Sequence, residues 1–124
     1  MHRILLVDDD KSFREIIREI LVLDGFQVTE AVNGLEAIES FKISQPDLVI
    51  LDLNMPEMDG MEATIAINAI NPSVPVIILT GEREMISTPD AFRLGAHYFL
   101  SKPPDYNELL AIINVAISRQ KVRI

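Results

Sequence analysis

Cysteine is missing from these 124 residues, which excludes disulfides, thiolate nucleophiles and cysteine metal sites. Basic charge is in short supply: 11 Lys and Arg stand against 19 Asp and Glu, for a formal charge of −8. With no basic patch to neutralise phosphates, direct nucleic-acid binding is not expected. No apolar run approaches the roughly 20 residues needed to cross a bilayer, so no membrane segment is expected. The opening MHRILLVDDD is too short and too acidic for a signal peptide, and a cytoplasmic location is the default expectation. Glycine and proline are scarce, at 5 and 7 residues, which argues against disorder. There is no Gly-rich phosphate loop and no GxGxxG after a strand. The two histidines, His2 and His97, stand near no candidate serine nucleophile and read as structural or exposed. The aspartates lack the spacing of a calcium loop.

What is present is apolar sequence in short blocks, 48% of the chain. The length suits one domain, spanning residues 1–124. Residues 4–7 (ILLV), 48–51 (LVIL) and 76–79 (VIIL) are all-apolar tetrads without alternation, the pattern of strands buried on both faces. Residues 27–31 (QVTEA) carry Gln27 and Glu30 and read as an edge strand, and residues 98–101 (YFLS) as a fifth strand.

Helices are expected between the strands. From about Ser12 to Asp24, Phe13, Ile16, Ile17, Ile20 and Leu21 form one stripe, ended by Gly25. Asn33 and Glu36 form a capping box ahead of Leu35, Ala37, Ile38 and Phe41. Asp59 with Glu62 caps a helix over 61–70, and Asp105 with Glu108 caps the final helix, 106–120. Between strands four and five, Thr88 as cap and Pro89 at the first helical position predict a short helix over 89–94 after a loop at 82–87, the alternative being a longer, kinked helix from about residue 84, with Gly95 ending either one.

Strands alternating with helices imply right-handed crossovers and a parallel sheet covered on both faces. With strands one, three and four central, the expected architecture is a doubly wound α/β sheet of five parallel strands in the order 2-1-3-4-5. The switch point then falls between strands one and three, where a ligand crevice is expected. Asp8, Asp9 and Asp52 follow those two strands directly. Carboxylates at adjacent strand ends repel, and a hard divalent cation such as Mg²⁺ is the simplest neutraliser. Asp52 is the candidate nucleophile towards a phosphoryl group. Lys102 supplies a point positive charge and Thr80 a hydroxyl to the phosphoryl oxygens. The Lys102–Pro103 bond admits a cis form that would turn the lysine inward. Asp10 and Asp59 read as helix caps rather than ligands.

Taken together, Val7-Asp8-Asp9, Asp52 with Asn54-Met55-Pro56 and Met58-Asp59-Gly60, Leu79-Thr80-Gly81, Gly95-Ala96 and Lys102-Pro103 give the chain its family likeness. Over essentially its full length it resembles a receiver domain of a two-component response regulator, a family of flavodoxin-like fold. The resemblance implies that Asp52 is the phosphorylated aspartate. It implies Mg²⁺, with Mn²⁺ as the alternative ion, held by Asp9, Asp52 and the backbone carbonyl of Asn54, with Asp8 acting through water. It makes Thr80 and Lys102 phosphoryl contacts, and Thr80 and Phe99 the switch pair. Tyr98, next along the strand, points the other way.

The resemblance further implies a histidine kinase or histidine phosphotransfer protein as phosphodonor and a downstream output domain or protein. The signalling face is made by the helix before the fifth strand, that strand and the final helix. Such domains promote their own phosphorylation and dephosphorylation but count as signalling proteins. Three departures concern that face: Phe99 has no phenolic hydroxyl, Pro104 follows Lys102-Pro103 where the family usually has Phe, and Pro89 shortens or kinks the preceding helix. Tyr98 and Ile112 replace the Asp and Arg common in regulators that dimerise there, and dimerisation is left open. The competing readings are a Mg²⁺-dependent phosphohydrolase with Asp52 as nucleophile, and a degenerate receiver serving only as a binding module. A stand-alone regulator and a fragment of a longer protein both fit.

Overall fold

The three apolar tetrads, residues 4–7, 48–51 and 76–79, are each at most 1% exposed, so they form the interior of the sheet as their composition requires. The structure is a computed structural model that describes residues 2–53, 60–81 and 95–122. Along the chain run β1 (Arg3–Val7), α1 (Lys11–Leu23), β2 (Gln27–Ala31), α2 (Gly34–Ser44), β3 (Leu48–Leu51), α3 (Gly60–Ile70), β4 (Val76–Thr80), β5 (Tyr98–Ser101) and α4 (Tyr106–Val122). The strands pair in parallel in the order β2-β1-β3-β4-β5, which is the expected topology. The readings of a helix over 89–94, of a loop at 82–87, of Asp59 as a cap and of Asn54 as a ligand lie outside the described residues.

Alternate residues of each central strand face opposite layers. Leu5, Val7, Val49, Leu51 and Ile78 join Phe41 of α2 and Ile67 of α3 in one core. Ile4, Leu6, Ile50 and Ile77 join Ile17 and Leu21 of α1 and Leu109 of α4 in the other. Helices therefore cover both faces. Each buried Leu or Ile contributes roughly 1.5–3 kcal/mol. β2, with Gln27 and Thr29 exposed, is an edge strand as its composition suggested.

The helix starts follow from local chemistry. The Asp10 carboxylate accepts from the Phe13 N–H at 3.2 Å and caps α1. Asn33 accepts from the Glu36 N–H at 2.8 Å, while Glu36 reaches back to the Val32 N–H at 3.3 Å. Asp105 accepts from Asn107 and Glu108 at 2.9 and 3.1 Å. Periodicity overstated two apolar stripes. Ile16 and Leu35 are 48% and 50% exposed, because only Ile17 and Leu21 of α1 and Ala37 and Phe41 of α2 turn fully onto the sheet. β4 runs one residue beyond the apolar tetrad, to Thr80.

Candidate functional site

Parallel pairing sets Val7 of β1 opposite Leu51 of β3. The next residue on each chain is an aspartate, so the register alone brings Asp8 and Asp52 to the same sheet edge. The Asp52 N–H donates to the Val7 carbonyl at 3.0 Å and the Asp8 N–H to the Ala31 carbonyl at 3.1 Å, so both residues leave the sheet from a fixed backbone. Asp8 and Asp52 are 2% and 6% exposed, and Asp9 beside them is exposed. One carboxylate oxygen from each of Asp8, Asp9 and Asp52 lies within 4.8 Å of the others.

Lys102 enters this acidic corner from the end of β5. Thr80 pairs with Ser101, so the residue after Ser101 emerges beside the end of β4. Its peptide bond to Pro103 is cis. The Lys102 Nζ lies 2.6 Å from Asp8 Oδ2 and 3.3 Å from Asp52 Oδ2. Burial alone would pull the lysine pKa down. The hydrogen bond to Asp8 and the charges of Asp52 and Asp8 outweigh it and leave the ammonium above its ordinary value. The backbone of Thr80 ends β4 at this edge, while the reading of its hydroxyl falls outside what the structure describes. Phe99 packs against the core under α2 and α3, and Tyr98 against the opposite one.

Two neighbours of the site carry no obvious motif signal. Arg14, on the first turn of α1, donates from Nη1 to the Asp8 carbonyl at 2.8 Å and from Nε to Glu30 Oε1 at 3.1 Å. Phe13 reads in the sequence as one member of an apolar stripe, yet its ring centroid lies 4.2 Å from the Lys102 Nζ. Only the spacing of Asp8 from α1 hinted that the first helical turn stands over the carboxylates. Gly60 is also close: a Cβ there would collide with the Asp52 carbonyl and lie 2.5 Å from Leu53 Cα. His97 takes a structural part, its Nδ1 accepting the Val76 N–H at 3.0 Å.

Three carboxylates converging within 4.8 Å offer only hard oxygen donors. This set fits Mg²⁺ or Mn²⁺ and no soft metal. A carboxylate at its rim, opposed by an ammonium, is also suited to a dianionic phosphoryl group. Among the described residues no helix is long and apolar enough to cross a membrane.

Comparison with known proteins agrees with this geometry. The family described as response regulator receiver domain matches residues 4–114. The chemotaxis protein CheY of Bacillus subtilis is 40% identical over 118 residues, covering 94% of this chain and 98% of that protein. The regulatory protein AtoC of Escherichia coli is 35% identical over 123 residues, covering 99% of this chain and 27% of that protein. The chain thus spans about a quarter of that longer relative. A crystal structure of a response regulator receiver domain protein from Clostridium thermocellum superposes with a TM-score of 0.94 at 33% identity, each chain fully covered.

Proposed function

Since this chain belongs to the response regulator receiver domain family, we propose that it accepts a phosphoryl group on Asp52 and relays the change as a signal. Receiver domains act as signalling modules. The observation that carries the reading is the meeting of Asp8, Asp9 and Asp52 within 4.8 Å, with the Lys102 ammonium on two of them.

The donor is a phosphohistidine on a histidine kinase or a histidine phosphotransfer protein. An Asp52 carboxylate oxygen attacks phosphorus and a P–O bond forms. The P–N bond breaks, and the imidazole leaves with its electron pair. Asp9, Asp52 and the Asn54 carbonyl would hold the divalent cation, with Asp8 acting through water. When bound, that cation neutralises charge on the phosphoryl oxygens. Asp8 keeps Lys102 at the rim, so the ammonium need only turn from the Asp52 carboxylate to a phosphoryl oxygen. Thr80 donates its hydroxyl to a second oxygen.

The new charge at Asp52 alters the balance around Thr80 and Phe99, and the face built on β5 and α4 shifts between two populations. A downstream output domain or protein reads that face. The test is incubation with Mg²⁺ and acetyl phosphate, followed by mass spectrometry of the wild type and Asp52→Asn. One slowly hydrolysed phosphoryl group on the wild type alone supports the reading. Labelling of Asp52→Asn to the same extent, no labelling of either, or rapid turnover of unrelated phosphate esters overturns it.

A further inference from the structure

The Lys102 ammonium has three neighbours at the site: the Asp8 carboxylate at 2.6 Å, the Asp52 carboxylate at 3.3 Å and the Phe13 ring with its centroid at 4.2 Å. The first two are what an acidic site provides. The third comes from the first turn of α1 and is held there by the site itself. Asp8 Oδ1 accepts the Asp10 N–H at 2.9 Å, and the Asp10 carboxylate accepts the Phe13 N–H at 3.2 Å. Interactions therefore run from Asp8 to Asp10, to Phe13, to Lys102 and back to Asp8. The ring is partly buried against the core under α1 and α4, which anchors it from behind.

From this circuit we infer that Phe13 is a positioning residue for phosphoryl transfer, an aromatic floor that keeps the Lys102 ammonium at the rim of Asp52. The inference rests on the phospho-acceptor reading of Asp52. An aromatic face attracts a cation through its quadrupole but fixes no single N–H direction. A third carboxylate in its place would pin the ammonium and add charge to an already acidic corner. An aliphatic side chain would leave that side of the ammonium with no electrostatic partner. The ring holds the lysine in place and leaves it free to turn from a carboxylate oxygen to a phosphoryl oxygen. It also keeps the lysine from extending to water, where a flexible four-carbon stem would otherwise take it.

The experiment compares wild type, Phe13→Leu and Phe13→Tyr, and repeats Phe13→Leu in a Lys102→Met background. Each variant is first checked for an unchanged fold by far-UV circular dichroism and thermal melting. In ¹³C-lysine spectra the ε-methylene protons of Lys102 should lie upfield of those of the other lysines in wild type and Phe13→Tyr. That ring-current shift should vanish in Phe13→Leu. Labelling by acetyl phosphate with Mg²⁺ should slow about threefold to tenfold in Phe13→Leu and return close to the wild-type rate in Phe13→Tyr. In the Lys102→Met background Phe13→Leu should change the rate no further. Coincidence of the wild-type Lys102 signal with solvated lysines overturns the inference, and this measurement stands even if Phe13→Leu does not fold. A folded Phe13→Leu that labels at the wild-type rate overturns it too. Failure of the wild type to label at all defeats the phospho-acceptor reading instead, and the lysine spectrum still reports whether the ring holds the ammonium.

Discussion

Lys102 donates to Asp8 at 2.6 Å across 94 residues of chain, and this one hydrogen bond ties β5, at one edge of the sheet, to β1 near its centre. The lysine charge thereby offsets part of the repulsion among the carboxylates. It also competes with any cation the carboxylates could bind.

Replacing the lysine separates the two effects. Lys102→Met should raise the affinity for Mg²⁺ about tenfold, because a positive charge close to the binding oxygens is removed. Phosphorylation of Asp52 should fall at the same time, and the metal-free protein should lose about 1–3 kcal/mol, because the Asp8 and Asp52 carboxylates lose a charged hydrogen-bond donor. Calorimetric Mg²⁺ titration and urea unfolding measure these effects. An unchanged Mg²⁺ affinity would show that the ammonium and the ion do not share the carboxylates.

Gly60 has no room for a side chain against Asp52 and Leu53. The Gly60 N–H also donates to the Leu53 carbonyl at 2.9 Å, so the backbones cannot separate freely. Gly60→Ala should cost about 1–3 kcal/mol in urea unfolding. What folded protein remains should accept phosphate slowly, since relief of the clash moves Asp52. A variant of wild-type stability would mean that the start of α3 yields more easily than the packing suggests.

Arg14 is 12% exposed at its side chain and bonds both the Asp8 carbonyl and Glu30. Arg14→Gln takes a donor from the buried Asp8 carbonyl, while Glu30 keeps Arg18 at 3.4 Å, for a loss of about 1–3 kcal/mol. Glu30→Gln keeps the Arg14 contact to the Asp8 carbonyl and leaves an amide oxygen able to accept from Arg14 Nε, so it should cost less. Equal losses from the two substitutions would place the stability in the Glu30 pair, not in the support of Asp8.

The raised pKa of Lys102 sets a pH dependence of definite sign. A lysine whose pKa is higher in the folded state stabilises fully below the unfolded value, about 10.4. That contribution is lost as pH climbs through the folded value. The difference in urea midpoint between wild type and Lys102→Met should therefore stay constant from about pH 7 to 9 and shrink above about pH 10. A difference already shrinking near neutrality would contradict the observed balance of charges around the ammonium.

Much of this molecule is legible in the amino-acid order. The tetrads ILLV, LVIL and VIIL carry no polar face and are too short for helices, which points to buried strands. The capping chemistry of Asp10, Asn33 and Asp105 is local and falls where a residue-by-residue reading puts it. The five-strand order fits two things the sequence does carry, the apolar composition of the central strands and the right-handed crossovers that chain chirality imposes. Ile16 and Leu35 were misread because periodicity marks a face but not its width, which depends on how closely the neighbouring element packs.

That Asp8 and Asp52 are neighbours is written in the sequence, because each directly follows a central strand. That Arg14 bonds the Asp8 carbonyl, that Gly60 lies against the Asp52 backbone and that Phe13 lies 4.2 Å from the Lys102 ammonium are not. Periodicity and capping depend on residues a turn apart. These contacts join segments that meet only once helices have docked on the sheet, and the tertiary structure alone decides such distances.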